Sequence, residues 1–498
     1  MSRAMGEATE GEPRERLLRM MKLLYFLNGF SGASFGRFAT LFYLDRGLHT
    51  HQIGIVEAAQ PVSTAIGNQL FGYVSDRLQR KKLVALCARS LTTALLLALP
   101  LPRWLGVGAT GFEYILLVMV VMAFFAVGGG VLDSYTLDLL GDQRRGEYGK
   151  YRLWLAVSWG IGNALMGFVA DHLGFDYNFI VSGVLNALAI GIMAAVLPPR
   201  TSGECEVLAR RRATLLAADE RRSGAAEDGR QEAAAAEGAK FEWGKALLSP
   251  RALFFFMEMM FIGVAFTVVE KFIFVFVIDE LGGSQTLCGL SVAVTVIFEV
   301  PLFHYGEQIM RKLGHEAMLL LALVSYSLRT FGYSRLQPST VWYLLALEPL
   351  HGITYGLAWT AAVDKVKADF PPEWQTTGML LLQTAMWSCG RTFGSLFGGF
   401  FMSHGAFLGW TGGRALYACA AVASATVIAA HVLTTAVLRL CGCRALIETP
   451  LPSLIILEPL VAPAELPNDS SFGDEGHEGN NGRGEEGVAT RVSARPIN

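Results

Sequence analysis

Long apolar segments recur along the whole chain and alternate with shorter polar ones. About 20 consecutive apolar residues cross the hydrocarbon of a bilayer as a helix, because each helical residue rises about 1.5 Å. Segments of this kind predict an all-α membrane protein with twelve transmembrane helices in two six-helix bundles. The predicted spans lie at residues 21–44, 52–74, 83–102, 113–138, 152–171, 177–197, 250–278, 286–305, 316–335, 340–362, 377–403 and 413–439.

Two polar stretches divide the chain. Positions 199–247 hold nine basic and nine acidic residues with Ala-rich runs, which is typical of a solvated linker. The C-terminal stretch is rich in Gly, Pro and acidic residues, which predicts disorder. We therefore expect a cytoplasmic N-terminus at 1–20, bundles at 21–198 and 250–440, a cytoplasmic linker at 199–249 and a disordered cytoplasmic tail at 441–498.

Composition excludes several classes of function. Of the 498 residues, 52% are hydrophobic and 17% are charged, whereas soluble domains carry about 25% charged residues. The formal net charge of −2 leaves no basic surface for nucleic acid. The seven cysteines have no zinc-type spacing, and no nucleotide-binding loop is present. We expect no enzyme activity, no metal site and no cofactor, and a monomer in the lipid bilayer.

The distribution of basic residues predicts the orientation. Lys and Arg cluster between spans two and three, between spans four and five, and in the central linker, whereas the opposite loops hold few. Because loops rich in Lys and Arg stay in the cytoplasm, both termini and the linker are predicted to be cytoplasmic. The sequence does not indicate which membrane holds the protein.

A loop motif follows span two and recurs in weaker form after span eight. The first copy reads Gly72-Tyr-Val-Ser-Asp76-Arg77-Leu-Gln-Arg80-Lys-Lys, and the second reads Gly306-Glu-Gln-Ile-Met-Arg-Lys-Leu-Gly314. Both resemble the G-x-x-x-D-R-x-G-R-K loop of the major facilitator superfamily, although Gln79 and Met310 replace the usual Gly and acid. The resemblance implies two rocking bundles, with Gly72, Asp76, Arg77 and Arg80 acting in gating.

Further segments narrow the resemblance. Tyr148-Gly-Lys-Tyr-Arg152-Leu-Trp154 and Ser158-Trp159-Gly160 are similar to the start of span five in the lactose-permease-like branch. Phe298-Glu-Val-Pro301, Leu350-His-Gly352 and Gly390-Arg391 resemble the major facilitator superfamily domain-containing protein 6 group. The resemblance covers roughly residues 20–440 and leaves the linker and the tail outside.

Candidate solute-binding residues come from spans four, five and eleven. By resemblance, Arg152 and Trp159 match the sugar-binding arginine and tryptophan of the lactose permease, and Asp133 falls within one residue of its span-four carboxylate. Helical periodicity places Asn163 on the face of Arg152 and Trp159, and it places Trp387 and Arg391 on one face of span eleven. The alternative for Arg152 is a side chain that snorkels to the cytoplasmic interface.

Candidate coupling residues lie in spans eight to ten. By resemblance, His351 and Arg329 match the histidine and arginine of the permease's proton-coupling cluster. The permease's essential acid corresponds here to Thr354, so Glu348, one turn before the histidine, and Glu299 of span eight are the alternatives. The sequence leaves open which acid carries a proton, and it leaves His351 open as a packing residue.

Further charges inside spans need a cavity or a partner, because charge is costly in hydrocarbon. Arg37 lies near the middle of span one and is expected beside Glu57 or Gln60. Glu258, Glu270 and Lys271 of span seven also need partners, and a position near the outer interface is the alternative for Glu270 and Lys271.

The sequence therefore predicts a secondary transporter that moves a small organic solute by alternating access, with proton symport as one option for coupling. A receptor or scaffold that keeps the fold without transport is the alternative. The identity of the solute does not follow from the residues.

Overall fold

The structure is a computed structural model and describes residues 2–106, 111–126, 128–144, 147–224, 250–370 and 375–440. The disordered tail predicted at 441–498 and most of the linker, residues 225–249, lie outside the described residues. We refer to residues 2–224 as the N-terminal half and to residues 250–440 as the C-terminal half. Both belong to one contact unit, Met1–Leu454.

The N-terminal half is helical throughout. Its helices are α1 (Ser2–Phe35), α2 (Ala39–Asp45), α3 (Thr50–Leu78), α4 (Lys81–Ala98), α5 (Leu101–Trp104), α6 (Phe112–Phe125), α7 (Gly128–Arg144), α8 (Tyr148–His172), α9 (Asp176–Val196) and α10 (Ser202–Gly224). The predicted first span is interrupted between α1 and α2, where Gly36, Arg37 and Phe38 form a turn.

The C-terminal half contains helices of unequal length. They are α11 (Pro250–Val275), α12 (Gln285–His304), α13 (Gly306–Ser334), α14 (Leu344–Leu347), α15 (Pro349–Gly352), α16 (Ala358–Asp369), α17 (Gln375–Gln383), α18 (Arg391–His404) and α19 (Gly412–Leu440). A short hairpin, β1 (Ala406–Phe407) with β2 (Trp410–Thr411), precedes α19 and departs from the all-α prediction. Leu408 and Gly409 both have positive φ, as a two-residue hairpin turn requires.

Three π-helical segments interrupt the C-terminal half. They are Phe276–Glu280, Ile353–Leu357 and Thr384–Gly390. The predicted tenth span is also divided at Pro349, because a proline inside a helix has no N–H to donate. π-Helical turns occur often at functional sites, and the second and third segments lie next to His351 and Arg391.

Five helices among the described residues are long and apolar enough to cross a membrane by length and composition. They are Tyr148–His172, Asp176–Val196, Ala252–Glu280, Gln285–His304 and Gly412–Leu433. The remaining predicted spans are shorter or broken, or carry several polar residues, as around the turn at Arg37 and the π-helical segments. The helical membrane architecture therefore agrees with the sequence, and the count of twelve stays a prediction.

The two halves pack tightly at one end, which we call the closed end. The Oγ atoms of Thr50 and Ser403 lie 2.5 Å apart, and Thr392 donates to the carbonyl of Ala58 at 3.2 Å. Gly54 and Gly399 face each other so closely that a Cβ on either would collide with the other's backbone. Small residues in this position let helix backbones approach each other.

Aromatic packing continues this contact. The rings of Phe38 and Phe274 lie 5.3 Å apart across the two halves, and both side chains are fully buried. They belong to the largest buried apolar cluster, which also contains Phe42, Phe179 and Phe272. The closed end is thus a continuous apolar core between the halves.

The opposite end, which carries residues 76–82, is open. A Cβ at Gly72 would meet nothing within 4 Å. Large apolar side chains of α3 are exposed here, including Ile66 (58%) and Tyr73 (59%). The hydrogen bonds of residues 76–82 stay within the N-terminal half, so this loop does not join the two halves, and we call its end of the molecule the open end.

The first part of the linker is a helix that contacts the loop after α3. Glu204 of α10 accepts hydrogen bonds from the backbone N–H groups of Lys81, at 2.7 Å, and Thr201, at 2.8 Å. Arg211 donates to the carbonyls of Asp76 and Arg77 at 3.4 Å. This part of the predicted solvated linker is therefore attached to the N-terminal half.

Candidate functional site

A buried polar cluster joins α12, α13 and α15 in the C-terminal half. The guanidinium of Arg329 donates to Glu348 Oε2 at 2.5 Å and to His351 Nδ1 at 2.7 Å. Glu348 also accepts from the hydroxyls of Tyr333, at 2.7 Å, and Thr295, at 2.8 Å. Arg329, Glu348 and His351 are 3%, 2% and 9% exposed. The structure thus brings together three of the four residues predicted for coupling.

The contact with Arg329 defines the protonation of His351. A guanidinium has only N–H donors, so Nδ1 of His351 must accept the hydrogen bond and carry no proton. His351 is therefore neutral in this arrangement. Its ring lies 4.9 Å from the ring of Phe266, which contributes to its burial.

Local sequence explains how His351 reaches this position. A Cβ at Gly352 would lie 2.9 Å from the backbone of Phe298, so the glycine lets α15 approach α12 closely. The π-helical segment Ile353–Leu357 follows directly and changes the direction of the side chains after it. Helical periodicity at 3.6 residues per turn cannot predict that change.

Glu299, the fourth residue predicted for coupling, lies apart from the cluster. It is partly buried on α12 beside Gly352 and interacts electrostatically with Tyr355. Among the described residues, no cationic side chain forms an ion pair with it. Glu299 and Glu348 therefore differ sharply, because only Glu348 has a counter-charge.

Asp133 and Arg152 face each other in the N-terminal half. Arg152 Nη1 lies 4.0 Å from Asp133 Oδ2, and the hydroxyl of Tyr25 donates to Asp133 Oδ1 at 2.7 Å. The side chain of Arg152 is 52% exposed. The predicted pair is therefore brought together, and the guanidinium is half exposed.

Trp159 and Asn163 lie one turn apart on α8 but in different surroundings. The indole of Trp159 packs on Gly32 and Gly36 of the first span, where a Cβ would meet it at 3.2 and 3.0 Å. Asn163 is fully buried where α8 meets α12, and its side chain donates to the carbonyl of Trp159. Asn163 thus lies in the contact between the halves rather than beside Arg152.

Arg391 packs against aromatic side chains of the C-terminal half. Its guanidinium is 4.7 Å from the ring centre of Trp387 and donates to Glu270 Oε2 at 3.0 Å. Trp387 also packs against Trp359 and Tyr355, each with ring centres 5.9 Å away. The π-helical segment Thr384–Gly390 carries Trp387 and ends immediately before Arg391.

An ion pair between the halves was not predicted. Lys271 Nζ lies 2.7 Å from Glu57 Oε2, with side-chain exposures of 15% and 2%. The sequence expected Glu57 beside Arg37 and left the outer interface as the alternative for Lys271, so this partner of Glu57 is new. Only the tertiary contact of α3 with α11 could have indicated it.

The residues predicted for gating lie at the open end. Gly72, Asp76, Arg77 and Arg80 are all exposed. Arg77 donates to the hydroxyl of Tyr73 at 2.7 Å. Gln79, where the family has glycine, has φ of 49°, which is the left-handed conformation that glycine adopts at no steric cost. No contact with the C-terminal half is recorded for these four residues within the described chain.

A carboxylate links the two halves at the closed end. Asp171, at the end of α8, accepts from the backbone N–H groups of Gln285 and Thr286 at 3.0 and 2.7 Å. It thereby satisfies free donors in the first turn of α12 in the other half. The described residues contain no group of three His, Cys, Asp or Glu side chains that could hold a metal ion.

Comparisons with known proteins agree with this architecture. The family model described as the MFS_1 like family matches residues 18–410. The maltose permease of Geobacillus stearothermophilus is 24% identical over 385 residues, covering 76% of this chain and 86% of the permease. Major facilitator superfamily domain-containing protein 6-like protein B of Xenopus laevis is 25% identical over 142 residues, covering 28% and 23%.

Among solved structures, the nucleoside transporter NupG superposes with a TM-score of 0.65 at 15% identity, covering 84% of this chain and 98% of that chain. At this identity the likeness concerns the fold. The family model and the permease relative, with helices long and apolar enough to cross a membrane, identify a multi-pass membrane transporter of the major facilitator type. The chain belongs to the MFS_1 like family, which confirms the resemblance drawn from its motifs.

Proposed function

We propose that this protein is a secondary active transporter that carries a small organic solute by alternating access. The observation that carries the proposal is the set of charged side chains where the two halves meet, such as Glu57 with Lys271, in halves that are joined at one end by contacts such as Thr50 with Ser403 and not through residues 76–82 at the other. If basic loops are cytoplasmic, the open end faces the cytoplasm and the structure is inward-facing.

We further propose that the membrane domain has twelve spans in two bundles of six, at 21–198 and 250–440, joined by the cytoplasmic linker. Epitope tags at each terminus and within 225–249 should then be reached by antibody only after the cytoplasmic side is permeabilised. A linker tag that is reached on intact cells would contradict this topology.

Solute binding is assigned to Asp133, Arg152, Trp159, Trp387 and Arg391. The first three belong to the N-terminal half and the others to the C-terminal half, which supports a site between the halves. A guanidinium offers a fork of donors, and an indole offers a flat apolar face. Asn163, also predicted as a solute ligand, is better suited to hold α8 against α12.

Coupling to protons is assigned to Glu299, Arg329, Glu348 and His351. Both carboxylate oxygens of Glu348 already accept hydrogen bonds from Arg329, Tyr333 and Thr295, and Arg329 is its ion-pair partner. Glu299 has no cationic partner among the described residues. It lies on α12 beside Gly352, the residue that directly follows His351. We therefore propose that Glu299 carries the proton. The buried cluster of Arg329, Glu348 and His351 then serves to hold Glu299 in position.

Uptake by the purified protein in lipid vesicles tests the proposal. An imposed proton gradient should drive accumulation of at least one solute from a panel of sugars, nucleosides and aromatic acids. Arg152→Gln should abolish binding of that solute, whereas Arg103→Gln, an exposed arginine of α5, should not. Binding without any uptake would favour a receptor with this fold.

A further inference from the structure

We propose that the solute carries a carboxylate, bound between Arg37 and Arg391 where the two halves meet. The inference rests on the transporter function proposed above and names the chemical class of its solute. It starts from the charges on the two sides of the contact between the halves.

Five charged residues lie together there, and their charges do not cancel. Glu270 interacts electrostatically with Arg391, Lys271 and Arg37. Lys271 is paired with Glu57, and Arg391 with Glu270. Within this group of five side chains, three cations therefore face two carboxylates, so one cation has no ion-pair partner in the group, and charge in such a region is stable only when it is compensated.

The uncompensated cation is Arg37. Among the described residues its guanidinium forms no hydrogen bond and no ion pair, and its contact is the ring of Phe274 at 5.0 Å. Its Nε is buried and has no acceptor. By contrast, Arg152 and Arg329 each face a carboxylate, Asp133 and Glu348. Arg37 is thus a donor without an acceptor close to the candidate solute site.

The backbone around Arg37 also points to a ligand. The first span stops at Phe35 and resumes at Ala39, so Arg37 projects from a turn inside the membrane region. Irregular backbone at this depth is tolerated where it is buried in protein or lines a cavity, and broken helices often mark transport sites.

Arg391 supplies the second donor. Its Nη2 is used by Glu270, but its Nε is buried without an acceptor. A planar carboxylate matches the paired donors of a guanidinium, and aromatic faces lie against both arginines, namely Phe274 and Trp387. These features favour a carboxylate attached to a ring over a neutral sugar.

The ion pair of Glu270 with Arg391 leads to a specific prediction for the variant Glu270→Gln. Since its carboxylate competes with the solute for Arg391, Glu270→Gln should tighten binding of a carboxylate. If the solute were neutral and donated hydrogen bonds to Glu270, the same change would weaken binding. The sign of this effect separates the two classes of solute.

Phenylacetate and its neutral amide, phenylacetamide, are suitable matched probes. Binding to the purified full-length protein is measured by calorimetry and by the shift in Tm. We expect phenylacetate alone to bind, with affinity reduced about tenfold or more in Arg37→Gln and in Arg391→Gln, and retained in Arg103→Gln. Glu270→Gln should increase the affinity.

Equal binding of acid and amide, no binding of phenylacetate, or an unchanged affinity in folded Arg37→Gln would each overturn the inference. Proton-driven uptake of a neutral sugar or nucleoside alongside any of these results would leave the transporter proposal standing. Conversely, binding with the expected variant pattern but no accumulation of any solute would refute transport and keep the carboxylate site.

Discussion

Glu57 and Lys271 form an ion pair of 2.7 Å that joins the N-terminal half to the C-terminal half. Glu57 is almost completely buried, so its charge depends on this partner. Opening the closed end must separate the two side chains and hydrate both. The pair therefore contributes to the preference for the conformation described here.

Lys271→Met should shift the protein towards opening at the closed end. Removing one partner of a buried pair costs about 3 kcal/mol or more, because the other charge stays buried without compensation. A cysteine at position 50, in a background without native cysteines, should then react faster with an impermeant maleimide on intact cells. The exchanged pair Glu57→Lys with Lys271→Glu should restore slow labelling. Equal labelling in all three proteins would show that the pair does not hold this end closed.

Glu348 and Glu299 should respond differently to neutralisation. Glu348→Gln leaves Arg329 buried without its counter-charge, so we expect a loss of about 3 kcal/mol or more and a clear fall in Tm. Glu299→Gln removes a carboxyl that has no ion-pair partner and should leave Tm nearly unchanged. Thermal unfolding of the purified proteins measures both, and a reversed order would contradict the description of the cluster.

Transport by Glu299→Gln tests its proposed role in coupling. If Glu299 carries the proton, downhill flux of the solute should persist, whereas accumulation driven by a proton gradient should be lost. Vesicle uptake with and without the gradient makes the comparison. Gradient-driven accumulation at the wild-type level would exclude Glu299 as the proton carrier.

Asp76→Asn should slow cycling without changing solute affinity. Asp76 is exposed at the open end, and no contact with the C-terminal half is recorded for it in the described residues. Closing that end would bring its charge to the seam between the halves, where it can pair. We expect the maximal uptake rate to fall several-fold with an unchanged Kd, whereas Asp45→Asn, at the opposite end, should change neither. An equal loss of rate and affinity would argue against a gating role.

Glu204→Gln should loosen the linker helix from the loop after α3. The carboxylate accepts from the backbone of Lys81 and Thr201, and losing such a cap costs about 1 kcal/mol. Trypsin cleavage at positions 210–212 should then become about fivefold faster if local opening limits it. Val207→Ala, an exposed change on the same helix that leaves the charges around the cleavage sites unaltered, is the matched control. Similar cleavage of the two variants would mean that Glu204 does not anchor the helix.

The pattern along the chain was sufficient for the class of protein and for part of the site. Apolar segments predict membrane helices because hydrocarbon accepts only backbone whose hydrogen bonds are satisfied internally. The loop after span two and the segments around Arg152 and His351 predicted the family. They also placed Arg329, Glu348 and His351 in neighbouring spans, and the structure shows them in direct contact.

Other features depend on which distant segments meet, and local sequence does not contain that information. The pairing of Glu57 with Lys271 and the isolation of Arg37 both arise from contacts between the halves. The interruption of the first span and the π-helical segments before Arg391 and after His351 break the 3.6-residue period on which helical faces were predicted. Burial decided the rest: Asn163 shares a predicted face with Trp159, but close packing of α8 on α12 buries it completely.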